Sequence, residues 1–344
     1  MKIQWWKWLG VILLGYAILV GLTVKTGPGI ANVSPDKVVI TQPFNLHITG
    51  YNTTFNKADN SVWLKIDSNF ICSDSVVVDD DEEIRAFFSG DIAPQYLAKD
   101  TNQALVIVEN TIDGMMLDVD AVTTIEGKRY ITLDCMSRPE KLKSVAFTFP
   151  YRRILYETIR NLNYHVPMWF SMITLLLIAF VASIMALNKN DLKYDRRAYS
   201  YTSVALLFGL MGISTGAFWA KFTWGVFWTA DPKLNGAAVG ILMYLGYMIL
   251  RSAIEDEDKR ARVSAVYNIL AFPMFIVLII VLPKMADFSL HPGSGDSVGF
   301  NQYDLNNNLR KVFYPAVIGW ILIGAWIADL TKRYLKIKDE KNWE

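Results

Sequence analysis

Histidine and cysteine are scarce in this chain: 344 residues hold three of the first and two of the second. Cys72 and Cys135 make no metal-ligand spacing, so no cysteine-built metal centre is expected. One disulfide outside the cytoplasm, or two buried thiols, would account for them. Net charge is nearly absent too, at +1, which argues against nucleic acid or an acidic substrate as partner. There is no Gly-rich phosphate loop, so the chain is not itself an ATPase. Nor is there a nucleophile signature for a Ser/His/Asp hydrolase. No internal repeat organises the sequence.

What is present is apolar surface, unevenly spread: 52% hydrophobic residues against 19% charged. A run of about 20 apolar residues crosses a bilayer, and Trp5 to Val24 suffices. Its basic start would also suit a signal peptide, but the exit Lys25-Thr-Gly-Pro-Gly carries no small-x-small cleavage pattern, so a first membrane anchor is expected. From Pro28 to Phe149 the texture changes to short alternating segments such as PFNLHITGY, ALVIVEN, RYITLD and KSVAFTF. Turn clusters at Asp113-Gly114 and Glu126-Gly127 help to separate them. This pattern predicts a sandwich or barrel of about seven to nine strands. His47 reads as an ordinary strand histidine, and Asp79 to Glu83 as a solvated loop.

Tyr151 to Asn163 reads as a short amphipathic helix at the membrane surface. Further spans are expected at Val166–Leu187, Tyr199–Phe218, Gly236–Leu250, Val263–Leu282 (with a kink at Pro273) and Val312–Leu330. The fold class is therefore an α-helical membrane protein of six transmembrane helices. An all-β domain is inserted between helices 1 and 2. Expected boundaries are residues 1–27 for the first helix, 28–150 for the β-domain and 151–344 for a five-helix membrane domain with its tail. Lys and Arg set the orientation. The N-terminus, 188–198, 251–262 and the tail hold 15 of them, against 5 in 219–235 and 283–311. Both termini are thus expected in the cytoplasm, with the β-domain outside.

Two of the three histidines then fall on the same outer face: His165 at the start of the second span and His291 after the fifth. Between them in sequence lies the densest aromatic stretch of the chain, WAKFTWGVFWTADPKLN, from Trp219 to Asn235. Two neutral imidazoles can ligate a haem iron axially, and Trp and Phe suit the faces of the macrocycle. Lys221, Lys233, Arg152 or Arg153 could meet its propionates. Zinc would need further ligands, for which Asp231 and Asp287 are available, but zinc does not need so many rings.

Trp224-Gly-Val-Phe-Trp-Thr-Ala-Asp-Pro-Lys-Leu resembles the tryptophan-rich signature of the haem-handling cytochrome c assembly proteins, and most closely that of the CcmC (haem exporter protein C) family. Tyr164-His165-Val166-Pro167, Trp219-Ala-Lys221 and Leu290-His291-Pro-Gly are similar to further elements of that family. The resemblance covers about residues 150–330 and the first span. It implies that His165 and His291 are the axial ligands of a transiently bound b-type haem. Trp219, Trp224, Phe227, Trp228 and Asp231 would form its cradle. Two features depart from the family pattern: Ala230 stands where a tryptophan is usual, and the β-domain replaces a short loop.

The function implied is a protein of the cell inner membrane that holds haem at the periplasmic face for cytochrome c maturation, without turnover chemistry of its own. The partners implied are the haem chaperone CcmE, the ABC-type subunits CcmA and CcmB and the small subunit CcmD, besides membrane lipid. A CcsA-type synthetase component shares the signature. A non-haem membrane sensor or scaffold acting through the β-domain is the alternative from a different class. Asp231 is expected to cap the fourth span, since an Asp-Pro start suits a helix N-terminus.

Overall fold

A computed structural model describes residues 4–40, 42–66, 69–90, 101–125, 147–286, 289–291 and 305–341. Cys135, Asp287, the turn at Glu126-Gly127, the RYITLD segment, most of KSVAFTF and most of the LHPGSG loop lie outside these residues. The chain divides into two compact units, Val24–Ile159 and Met1–Thr23 with Arg160–Glu344.

The first unit is a β-sandwich. Its strands among the described residues are β1 (Gly29–Ser34), β2 (Lys37–Val39), β3 (Phe44–Tyr51), β4 (Ser61–Ile66), β5 (Asn69–Cys72), β6 (Ser75–Val78), β7 (Glu83–Phe88), β8 (Thr101–Asn110) and β9 (Gly114–Ile125). One sheet runs in the order β1-β3-β7-β6 and the other β2-β9-β8-β4-β5. All pairings are antiparallel except that of β2 with β9. Alternation decides which side chains meet between the sheets. Leu46 and Ile48 of β3 and Ile84 and Ala86 of β7 pack against Val62 and Leu64 of β4 and Val106 and Val108 of β8. Burying each large aliphatic chain contributes about 1.5–3 kcal/mol. His47, one position out of phase, faces solvent.

The β8–β9 hairpin turns at the expected place. Asn110 Oδ1 accepts from the Ile112 and Asp113 amides at 3.0 and 2.6 Å, and Gly114 takes a φ of 78° that favours glycine. The acidic run is an exposed loop with local hydrogen bonds: Arg85 donates to Asp79, and Asp80 Oδ1 accepts from the Glu82 and Glu83 amides. Cys72 is disulfide-bonded. The two ends of the unit are stitched together. Gly27 N donates to Phe149 O at 2.7 Å, and Phe149 N donates to Lys25 O at 3.0 Å.

The second unit contains α1 (Trp5–Thr23), α2 (Leu162–Lys189), α3 (Leu192–Trp224), α4 (Pro232–Ser252), α5 (Glu257–Ile276), α6 (Leu282–Met285) and α7 (Asn307–Lys341). A π turn, Val277–Val281, joins α5 to α6 and makes them one span. It follows Pro273, whose missing N–H leaves the preceding turn short of a hydrogen bond. Six helices among the described residues are long and apolar enough to cross a membrane.

The helices outrun their apolar runs, and this corrects several expected boundaries. Tyr151–Asn163 is not a surface α-helix: a 3-10 segment at Tyr156–Asn161 leads directly into α2. The polar loop expected at 188–198 shrinks to Asn190 and Asp191, because α3 begins at Leu192. Asp195 in its first turn is buried and receives both terminal nitrogens of Arg251 from the end of α4, at 2.7 and 2.5 Å. Within the same bundle, Asn268 of α5 donates to Ser183 of α2 and Thr202 of α3 at 3.0 and 3.2 Å. Polar side chains in such a bundle are tolerated where they pair with each other. Gly10 and Gly319 let α1 and α7 cross closely: a Cβ on Gly10 would stand 2.9 Å from Leu322 Cβ, and one on Gly319 2.9 Å from the Leu14 amide.

Candidate functional site

Trp219 to Asn235 is not a single loop. Trp219–Trp224 forms the last turns of α3, Gly225 ends the helix in a left-handed turn at φ 79°, and Pro232–Asn235 opens α4. Lys221 Nζ donates to Gly225 O at 2.8 Å and lies over the Phe227 ring. The first turn of α2, the end of α3 and the start of α4 come together here, and residues 289–291 join them.

His165 stands in the first turn of α2. Its Nδ1 is 3.0 Å from Gly212 O and 3.2 Å from Thr215 Oγ1, both on α3. A carbonyl oxygen only accepts, so Nδ1 carries the proton and Nε2 the lone pair. The edges of Trp169 and Trp219 flank the ring, with centroids at 6.4 and 5.7 Å. Gly216 lets it approach α3: a Cβ there would lie 2.6 Å from His165 Cε1.

His291 is held differently. Its Nδ1 is 3.1 Å from Asp231 Oδ1, and Trp224 meets its ring edge-on at 5.1 Å. Asp231 is 4% exposed and fully engaged. Oδ1 also caps α4, accepting from the Lys233 and Leu234 amides at 2.9 and 3.3 Å. Oδ2 accepts from Ser289 Oγ at 2.7 Å and the Leu290 amide at 2.8 Å. Burial alone would raise this carboxyl, but the hydrogen bonds from His291, Ser289 and Leu290 outweigh it and hold the group well below the usual carboxylate range. Asp231 therefore stays anionic and only accepts. His291 Nδ1 therefore donates in that bond, and Nε2 is the ring nitrogen left to face a ligand.

Of the residues singled out in the sequence, His165 packs with Trp219, and His291 with Trp224 and Asp231; His291 and Lys233 lie within electrostatic reach of His165. Phe227 packs edge-on against Phe218 at 5.9 Å, and Trp228 Nε1 donates to Asn235 Oδ1 at 3.3 Å. Both rings are largely exposed, at 52% and 42%. Arg152 and Arg153 are engaged within the β-sandwich instead, Arg152 with Leu117 O and Arg153 with Asp118 and Asn32. Gly212, Thr215, Gly216 and Ser289 were not singled out. Nothing local in the sequence marks the first three as neighbours of a histidine. Among the described residues no group of three or more His, Cys, Asp or Glu side chains is disposed to hold a metal ion, and Asp287 lies outside them.

Residues 144–324 match the family model described as heme exporter protein C. The chain belongs to that family. Relatives named heme exporter protein C include those of Rhodobacter capsulatus, 31% identical over 161 residues, and Paracoccus denitrificans, 28% identical over 141. That of Bradyrhizobium diazoefficiens is 30% identical over 113 residues. These alignments cover 47%, 41% and 33% of this chain and 64%, 58% and 43% of the respective relatives. The heme exporter protein C match takes in α2, α3, α4, α5 and both histidines, and it begins after β9.

Proposed function

We propose that this protein is a membrane haem-binding protein of cytochrome c maturation, which holds haem at the outer face of the cytoplasmic membrane and delivers it to a haem chaperone. The observation that carries this reading is the matched state of the two histidines. Each is fixed through Nδ1 by an acceptor, Gly212 O or Asp231 Oδ1, and so keeps an Nε2 lone pair to give. Two neutral imidazole donors beside indole rings suit an iron porphyrin. Haem here is cargo rather than a resident cofactor. His165 and His291 bind its iron, Trp219 and Trp224 limit how the macrocycle enters, and Phe227 and Trp228 leave an exposed rim for an acceptor.

The excess of Lys and Arg at the termini and in the 188–198 and 251–262 segments supports an orientation with both termini in the cytoplasm and the β-sandwich in the periplasm. By family, the acceptor is CcmE, and CcmA, CcmB and CcmD are the neighbouring subunits. The β-sandwich offers a docking surface for such a partner. The test is the visible spectrum of the purified protein and of His165→Ala and His291→Ala. A Soret band that weakens in both variants is expected. No band in the wild type, or one untouched by both substitutions, would defeat the reading and leave a scaffold acting through the β-sandwich.

A further inference from the structure

The two histidines are matched in tautomer but not in what holds them. Behind His165 stand a peptide carbonyl and a hydroxyl, both neutral. Behind His291 stands a buried carboxylate, pinned in place by the Lys233, Leu234 and Leu290 amides and by Ser289 Oγ. A charge-assisted hydrogen bond is about twice as strong as a neutral one, and an anion at Nδ1 pushes electron density toward Nε2. We propose that Asp231 is a positioning residue that makes His291 the stronger donor and the last to release haem, while His165 is the ligand surrendered first. This rests on the haem reading above and adds an order of release to it.

The mechanical arrangement agrees with the electronic one. His291 belongs to a short non-helical segment whose described contacts, through Ser289, Leu290 and the His291 ring, converge on one carboxylate. Asp231 also starts α4, so residues 289–291 are tied to the rigid end of a span. His165 is fixed on α2 by packing, and its ring has less room to follow a departing iron: Gly216 lies behind it, and the edges of Trp169 and Trp219 stand beside it.

The experiment uses the full chain in detergent, loaded with ferric haem, and follows haem loss to excess apomyoglobin at the Soret band. Outer-shell partners of this kind are worth about 10- to 100-fold in affinity. His291→Ala is therefore expected to lose haem at least about tenfold faster than His165→Ala. Adding Asp231→Asn to His165→Ala should remove that difference, and adding it to His291→Ala should leave the rate unchanged. Asn remains a good helix cap, so α4 keeps its start. Equal loss from the two single-histidine variants overturns the proposal. So does an Asp231→Asn effect of the same size in both backgrounds, the result of a merely structural role. Should Asp231→Asn fail to fold, the single-histidine pair decides alone. A wild type without a Soret band defeats the haem reading itself, whereas a wild-type band with equal losses defeats only the order of release.

Discussion

Gly216→Ala is the sharpest perturbation of the site, because one methyl group is placed against a histidine that is already confined. Its Cβ would stand 2.6 Å from His165 Cε1, 3.1 Å from Nδ1 and 3.4 Å from Nε2. Carbon atoms rest at about 3.5–4.0 Å, so the ring must retreat by about 1 Å. The bond from Nδ1 to Gly212 O, now 3.0 Å, would then stretch toward about 4 Å and cease to be a hydrogen bond. Overpacking costs about 1–3 kcal/mol, and losing the hydrogen bond adds about 1 kcal/mol. Retreat is hindered by Trp169 and Trp219, so the upper part of that range is expected. Two measurements check it: thermal unfolding of the haem-free protein, and Soret amplitude at fixed haem. The variant should melt earlier and hold at least about tenfold less haem, since the hydrogen bond that orients the His165 ring is lost. A variant that melts and binds like the wild type would refute the argument that His165 is set by its packing on α3.

Two further substitutions probe the frame. Arg251→Ala would strand the buried Asp195 carboxylate at the start of α3, an imbalance of about 3–5 kcal/mol. Thermal unfolding in detergent should show that loss, and Asp195→Leu with Arg251→Leu should recover most of it; a double variant as unstable as the single one would contradict this account. Cys72→Ser removes a disulfide, a change worth about 2–5 kcal/mol in a small domain. A reductant should lower the melting of the β-sandwich in the wild type and leave the variant unchanged.

The six spans and the alternating strands were legible because each is written in consecutive residues. Their ends were not. Hydropathy counts Asp195 and Arg251 as polar loop residues, since it cannot see that they neutralise each other across two helices. The same blindness ended the third span at Phe218, although α3 carries the aromatic residues onward to Trp224. At the site, the Asp-Pro pair announced the cap of α4, a local feature. The grip of Asp231 on Ser289, Leu290 and His291 spans 58 to 60 residues and left no local mark. Thr215 and Gly216 were hidden for another reason. A small residue in a span reads as generic packing until the particular ring it admits is known. In the β-sandwich, alternation gave the strands but not the parallel placement of β2 beside β9, which depends on contacts far apart in sequence.

The stitched ends of the β-sandwich carry a consequence of their own. Lys25 and Phe149 are tied by backbone hydrogen bonds, so about 120 residues leave the chain and return to it at nearly one point. On the bundle side the corresponding ends also meet, for Arg160 reaches the Gly21 carbonyl at 3.0 Å. A module with coincident ends is a cassette: it can be lifted out and its place closed by a few residues, or exchanged for another of the same footprint. The helical bundle and the β-sandwich can therefore change independently of one another.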